Sequence, residues 1–351
     1  MGTEGPTAST APAAATRTTT RTTLRRPSLA DVAALAGVSK QTVSRVVNGS
    51  AAVRPETRAR VAAVIQELGY RPDQAARALA TGGRESIGIV TLGRPASENA
   101  AIRDALRSAA SAAGVRTVVA GSEGERRDDV ERAFADLAVE RPGVIVVIGS
   151  SPWSRAAAEL VAPGTPLVHA DDAPADPAAD PQRTAARIAT EHLLAAGHTR
   201  VGHVAGPACS GTARRRAAGW RDAMRAAGLP VFAIAEGSWS ERTGYEATRR
   251  LLSRCAVTAV LAASDATAVG ALHAARDAGE AAPDGISVVG MGDSGMSAHC
   301  APPLTTVRLD LAALGRSLFD RARDGTSATR VACALVVRDS VRHHPPSPAA
   351  P

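Results

Sequence analysis

Residues 29–48 read Leu-Ala-Asp-Val-Ala-Ala-Leu-Ala-Gly-Val-Ser-Lys-Gln-Thr-Val-Ser-Arg-Val-Val-Asn, two short amphipathic runs broken by one glycine. In the first run Val32, Leu35 and Ala36 are expected to point inward, at helical spacing. Gly37 ends that helix, Val38 plugs the corner, and Ser39 is a residue type that caps a new helix. In the second run Val43, Val46 and Val47 face back toward the first. Lys40, the only lysine of the chain, is left facing outward with Gln41, Ser44 and Arg45. The spacing predicts a helix-turn-helix whose second helix offers an exposed N-terminus ringed by polar side chains. That shape suits entry into a DNA major groove.

An ordinary helix pair would give the same local pattern, but the next residues extend it. Arg54-Pro55-Glu56-Thr57 opens a third helix with proline in its first turn. Val61, Ile65 and Leu68 are its expected stripe, and Gly69 its stop. A small Ala-rich segment, 70–79, then runs to Thr81-Gly82-Gly83. In order, spacing and hinge, residues 28–83 resemble the DNA-binding headpiece and hinge helix of the lactose-repressor (LacI/GalR) family of bacterial transcription regulators.

Arginine and lysine suit guanine edges and glutamine suits adenine, so Lys40, Gln41 and Arg45 are the expected base readers. Ser39, Thr42, Ser44, Asn48, Thr57 and Tyr70 are expected on phosphates, which position without specifying. The hinge, 73–79, is too short to persist alone. By the resemblance it folds on DNA, pairing through Ala75 and Ala76 in the minor groove, with Leu79 wedging a base step.

The charge agrees with a polyanion at one end only. Residues 1–86 hold twelve of the 41 basic residues and six of the 34 acidic ones, a balance of +6 in a chain of +7 overall. Cys209, Cys255, Cys300 and Cys333 are spread singly, with neither zinc nor dithiol spacing, and are expected as free thiols of a reducing cytosol. No apolar stretch reaches the roughly 18–20 residues of a membrane span. Residues 1–26 are Thr-, Ala- and Arg-rich without an apolar core, and are expected as a disordered arm, not a secretory signal.

From Ser86 onward, apolar runs of strand length alternate with helical stretches, from Ile87–Val90 to Ile286–Gly290. Continuous Val/Ile runs of this kind mark parallel sheets buried on both faces. Two such sets in tandem predict two doubly wound lobes with a ligand between them. Ala195-Ala196-Gly197-His198, Arg216-Ala217-Ala218-Gly219-Trp220 and Pro302-Pro303-Leu304-Thr305-Thr306-Val307 resemble landmarks of the same family's core, which is periplasmic-binding-protein-like (type I). The resemblance implies that the last of these crosses back between the lobes. The expected organisation is an arm (1–26), an all-α headpiece with its hinge (27–83), an α/β core for effector binding and dimerisation (84–343), and a disordered tail (344–351).

Gly290-Met291-Gly292-Asp293-Ser294-Gly295 fits a dinucleotide fingerprint, but no helix opens after it and Pro302-Pro303 follows. No nucleophile elbow, zinc-peptidase helix or phosphate-binding loop appears, so no catalysis, metal or cofactor is expected. By resemblance the effector site includes Arg216 as its gripping arginine, Trp239 as a stacking platform, Asp171 at the end of the fourth strand, and Ser264-Asp265 after the seventh. Three departures stand out. Ser264-Asp265 replaces the usual Asn-Asp. Met291-Gly292-Asp293 replaces aromatic-Asp-Asp, which removes a carboxylate that is a common ligand contact. The loop 91–99 carries Arg94 and Glu98 where small or apolar residues are usual. The expectation is a cytoplasmic, nucleoid-associated repressor that binds pseudo-palindromic double-stranded DNA as a homodimer under control of a small-molecule effector such as a sugar. The chain's last residues, Pro-rich and without heptads, imply a dimer that stops at two. A transporter's solute-binding protein, an enzyme on the same lobes and a non-specific DNA binder are the alternatives.

Overall fold

The computed structural model describes residues 29–47, 54–68, 86–93, 97–123, 126–161, 164–174, 179–231, 234–235, 237–327 and 329–344. The chain divides into two compact units, 1–77 and 78–351.

The first unit contains α1 (Leu29–Ala36), α2 (Lys40–Val47) and α3 (Pro55–Leu68). Gly37 adopts φ +64, a left-handed conformation that costs a Cβ-free residue little, and so turns the chain between α1 and α2. The Val38 N–H closes the turn onto the Ala33 carbonyl. Val32, Ala33, Ala36, Val43, Val61 and Val64 form the core, with Val38, Val46 and Ile65 packed against it. One inward assignment is corrected. Leu35 is 57% exposed, and Ala33 takes its place in the core. In an eight-residue helix that is nearly all apolar, the hydrophobic pattern leaves the angular phase open, and the buried face here runs through 32, 33 and 36. The arm 1–26 and the hinge 73–79 lie outside the described residues.

The second unit holds two sheets. The first lobe orders its strands β2 (Arg116–Ser122), β1 (Ser86–Leu92), β3 (Val144–Ile148) and β4 (Leu167–His169), all parallel. Strand alternation sends Ile87, Ile89, Val144 and Val146 to one face, under α4 (Ser97–Ala112) and α11 (Leu311–Asp324). Val90, Leu92, Ile145 and Val147 go to the other, under α5 (Arg127–Ala138) and α6 (Ser154–Val161).

The second lobe orders β10 (Cys333–Val336), β9 (Thr305–Leu309), β8 (Ser287–Met291), β7 (Ala259–Ala262), β5 (Val201–Val204) and β6 (Ile234–Ala235). Among the described strands only the β10–β9 pair is antiparallel. α7 (Pro181–Ala195) and α8 (Gly211–Ala226) cover one face, while α9 (Glu241–Arg254) and α10 (Asp265–Asp277) cover the other. Gly270 lets α10 lie directly on α9, since a Cβ there would overlap the Glu241 carbonyl.

The chain passes between the lobes three times: from β4 to α7, from β9 to α11, and from α11 to β10. The stretch 302–307, expected to cross back itself, instead enters β9 within the second lobe's sheet, and the crossing follows it at Leu309–Leu311. His344, placed by sequence in a free tail, still donates from its N–H to the Ala196 carbonyl at 2.7 Å. The loops that follow the parallel strands of both sheets carry Ser150, Asp171, Trp239, Ser264 and Gly292, and the first turn of α4, which follows β1, carries Glu98. In open α/β sheets, ligands bind at this carboxyl end.

Candidate functional site

In the headpiece, Ser39 caps α2 through its hydroxyl, which accepts from the Thr42 N–H at 3.1 Å and pairs with the Thr42 hydroxyl at 2.9 Å. Capping fixes the first turn of α2, and Lys40 and Gln41 stand exposed on it. Thr57 is half-buried in the first turn of α3. Ser44 and Arg45 lie on α2, with side chains outside the description. Asn48, Tyr70, Ala75, Ala76 and Leu79 lie outside the described residues.

In the core, Asp171 of the first lobe reaches the N-terminus of α8 in the second. Its carboxylate accepts from the Gly211 N–H at 2.7 Å, the Thr212 N–H at 2.5 Å and the Ser150 hydroxyl at 2.9 Å, with the Ser210 hydroxyl at 3.4 Å. Burial pushes this carboxyl up, yet the hydrogen bonds from Thr212, Gly211 and Ser150 together hold it below its ordinary value. Arg215 donates to the Asp171 carbonyl at 2.9 Å and pairs with Asp180 at 3.0 Å.

Arg216 is 2% exposed, so it is no solvated surface charge. Its Nε donates to Gln182 Oε1 at 2.8 Å and its Nη1 to the Ala263 carbonyl, while Nη2 faces Glu98 Oε2 at 3.7 Å. The guanidinium lies 5.6 Å from the centre of the Trp239 ring. Trp239, half-buried, rests against Gly206, where a Cβ would come within 2.7 Å of the indole. Only glycine lets the ring sit there. Trp220 is fully buried in the second lobe's core, stacked 5.6 Å from His203.

Ser264 and Asp265 are brought to the same cleft with their polar atoms engaged by the protein. Ser264 caps α10 in a reciprocal box with Thr267. Asp265 accepts from the Ser294 N–H at 2.6 Å and from the hydroxyls of Ser297 at 2.8 Å and Thr306 at 2.6 Å. These bonds shape the loop 292–297, which follows β8 with Gly292 at φ +129 and Asp293 at φ +52 and forms a single tight turn at Ser297–His299. The glycine string therefore opens no helix and makes no nucleotide site.

The structure thus gathers Asp171, Arg216, Trp239, Ser264 and Asp265 around one cleft. Sequence reading missed Ser150 and Gln182, whose partners lie far away along the chain. Only the Asp-Pro start of α7 marked Gln182 as a first-turn residue. Among the described residues no cluster has the makings of a metal site, and no helix is long and apolar enough to cross a membrane.

Comparison with known proteins follows the same division. Residues 28–73 match the family described as bacterial regulatory proteins, lacI family, and residues 190–341 match the periplasmic binding protein-like domain. The chain is 35% identical over 300 residues to the lactose operon repressor of Escherichia coli K12, covering 84% of this chain and 83% of that one. It belongs to the LacI family. A second member, the HTH-type transcriptional regulator CelR of Thermobifida fusca, is 33% identical over 317 residues, with 84% and 90% covered. Among solved structures, the lac repressor dimer bound to operator and the anti-inducer ONPF aligns with a TM-score of 0.73 at 31% identity, covering 91% of this chain and all (100%) of that one. The CelR–cellobiose complex aligns at 0.62 and 30%, covering 90% and 100%. This LacI-family chain is a DNA-binding transcription regulator, and its relatives are regulators, not enzymes.

Proposed function

We propose that this LacI-family regulator represses transcription by binding a pseudo-palindromic operator as a homodimer, and that a small sugar in the interlobe cleft changes its operator affinity. The observation that carries the reading is Arg216: a buried guanidinium held in place by Gln182 and Ala263 while facing the Trp239 ring. A fixed donor beside an aromatic platform is what a small polyhydroxylated ligand needs. The solved relatives named above hold ONPF and cellobiose. Asp171 acts by tying the lobes and Ser264-Asp265 by shaping the cleft floor.

At the DNA end, Lys40, Gln41 and Arg45 read bases, while Ser39, Thr42, Ser44, Asn48, Thr57 and Tyr70 hold phosphates. Ala75, Ala76 and Leu79 work in the minor groove when the hinge orders on DNA. The protein acts in the cytoplasm, on the nucleoid. A two-fold partner is required because one headpiece makes too few contacts.

The test is selection of binding sites from random DNA, followed by footprinting of the wild type and Gln41→Ala. Recovered sites should show two-fold symmetry. Gln41→Ala should cost about 1–3 kcal/mol and relax preference at one or two positions per half-site. Sites without symmetry, or an unchanged base preference, would reject the reading. A working effector should change operator affinity about 5- to 150-fold, the usual range of allosteric coupling.

A further inference from the structure

Position 292 has no side chain, and the space beside it is occupied. A Cβ built on Gly292 would overlap the Glu98 carboxylate, with Asp265 Oδ2 3.5 Å away. Glu98 sits in the first turn of α4, in the first lobe, while Gly292 follows β8 in the second. A carboxylate from the opposite wall thus stands where a side chain at 292 would project.

The other cleft carboxylates are committed. Asp171 is taken up by the α8 N-terminus and two serines, and Asp265 by Ser294, Ser297 and Thr306. Glu98 differs. Its cleft partner among the described residues is Arg216 at 3.7 Å, well beyond the roughly 2.7–2.9 Å of a charge-assisted hydrogen bond, so toward Arg216 its acceptor capacity is not used up. Its side chain keeps 26% of its surface open.

We propose that Glu98 is a specificity-determining residue of the effector site, supplied by the first lobe in place of a side chain at 292. It accepts from adjacent hydroxyls of a neutral sugar or polyol that lies against Trp239 and receives a hydrogen bond from Arg216. This rests on the cleft being the effector site. The charge arrangement selects the class. Glu98 and Asp265 stand close together and, among the described residues, the Arg216 guanidinium faces Glu98, so a sugar phosphate or sugar acid would bring a third negative group to the same spot. A neutral polyol adds none, and its hydroxyls donate where acceptors are open. Burial pushes the Glu98 carboxyl up, Arg216 opposes this, and nearby Asp265 adds to it, so hydroxyl donors would favour its charged form. Because Glu98 comes from one lobe and Arg216 from the other, a ligand makes both contacts only with the lobes together.

The experiment is calorimetry of the full chain with glucose, galactose, lactose, maltose and cellobiose, each monosaccharide also as its 6-phosphate and its uronic acid. Variants are Glu98→Gln, Glu98→Asp and Arg216→Ala. At least one neutral sugar should bind the wild type, with its anionic counterparts tenfold or more weaker. Glu98→Gln should weaken the neutral sugar at least tenfold and narrow the neutral-to-anionic ratio, a change that mere loss of packing would not produce. Glu98→Asp should weaken binding and keep that ratio. The proposal is overturned if no neutral sugar binds, if anionic sugars bind as tightly, or if Glu98→Gln binds like the wild type. In the last case, a loss confined to Arg216→Ala would leave the cleft as the effector site and remove Glu98 from it.

Discussion

Replacing Asp171 by asparagine should separate the two lobes energetically while leaving each lobe's core untouched. The carboxylate accepts from two backbone amides at the start of α8 and from two serine hydroxyls. Asparagine keeps one acceptor oxygen and turns an N–H₂ toward the remaining donors. Charged hydrogen bonds contribute about 1.5–3 kcal/mol each, and a negative charge at a helix N-terminus about 0.3–1 kcal/mol, more when partly buried. Asp171 is half-buried, so solvent offsets part of what is lost and the expected cost is about 2–4 kcal/mol.

The chain's three tryptophans, Trp153, Trp220 and Trp239, all lie in the core, so their fluorescence during urea unfolding follows the core and not the headpiece. The pH dependence gives a second reading of the same contact. The folded carboxyl is held below its ordinary value of 3.8, so its contribution is complete above that pH and is lost as pH falls through the folded value. The difference between wild type and Asp171→Asn should therefore be full at pH 5–7 and shrink below about pH 4. A difference under about 0.5 kcal/mol at pH 7, or one that grows on acidification, would refute the role assigned to this carboxylate.

Two further perturbations probe the second lobe. His198 and His203 are buried, and burial lowers both to about 4 from an ordinary 6.5, so the unfolded chain binds protons first as pH falls. Stability should be full above about pH 6.5 and decline toward pH 4, by about 2 kcal/mol per histidine at pH 5; urea midpoints that stay level between pH 7.5 and 5 would contradict this. Gly270→Ala should cost about 1–3 kcal/mol because its methyl would overlap the Glu241 carbonyl and lie 2.6 Å from the Tyr245 N; an unchanged thermal midpoint would show that α9 and α10 can separate freely.

Much of the fold was legible because burial on both faces leaves a plain mark. Val144–Ile148 and Ala259–Ala262 are unbroken apolar runs in the sequence, and each is a strand buried along its whole length. β9, α11 and β10 were not read as elements. Thr305 and Thr306 are fully buried polar residues whose hydroxyls work inside the sheet, Thr306 on Asp265 and Thr305 on the Arg338 carbonyl. A buried threonine pair does not look like a core strand until its partners are known. Leu35 shows the opposite failure, since an apolar residue in an apolar helix offers no contrast to set the phase. The cleft's members were legible as a set by the family resemblance: Asp171, Trp239 and Ser264-Asp265 follow the carboxyl ends of strands, while Arg216 projects from α8. Their bonding was not, because it depends on which loop of the other lobe arrives opposite. Glu98 stood out in sequence as a misplaced charge and Gly292 as a missing one, and only folding places the first beside the second.

That pairing bears on how a ligand can act at a distance. The cores of the two lobes are separate clusters, and Leu311, at the crossover from β9 to α11, packs against one cluster of each lobe. Beside the crossovers, the described polar ties across the cleft include Asp171 with the α8 N-terminus and Glu98 with Arg216. Contacts of this kind, made by half-buried carboxylates, contribute a few kcal/mol at most. That is the same size as the typical coupling of about 1–3 kcal/mol between an effector and a distant site. A ligand that engages Glu98 and Arg216 together need not unfold or repack either lobe to shift their arrangement. It has only to bind one arrangement better than the other, and the difference in those two affinities is the whole of its leverage on the operator. On the proposed effector site, sequence change in the polar cleft, not in the apolar cores, would retune the response while the fold stays intact.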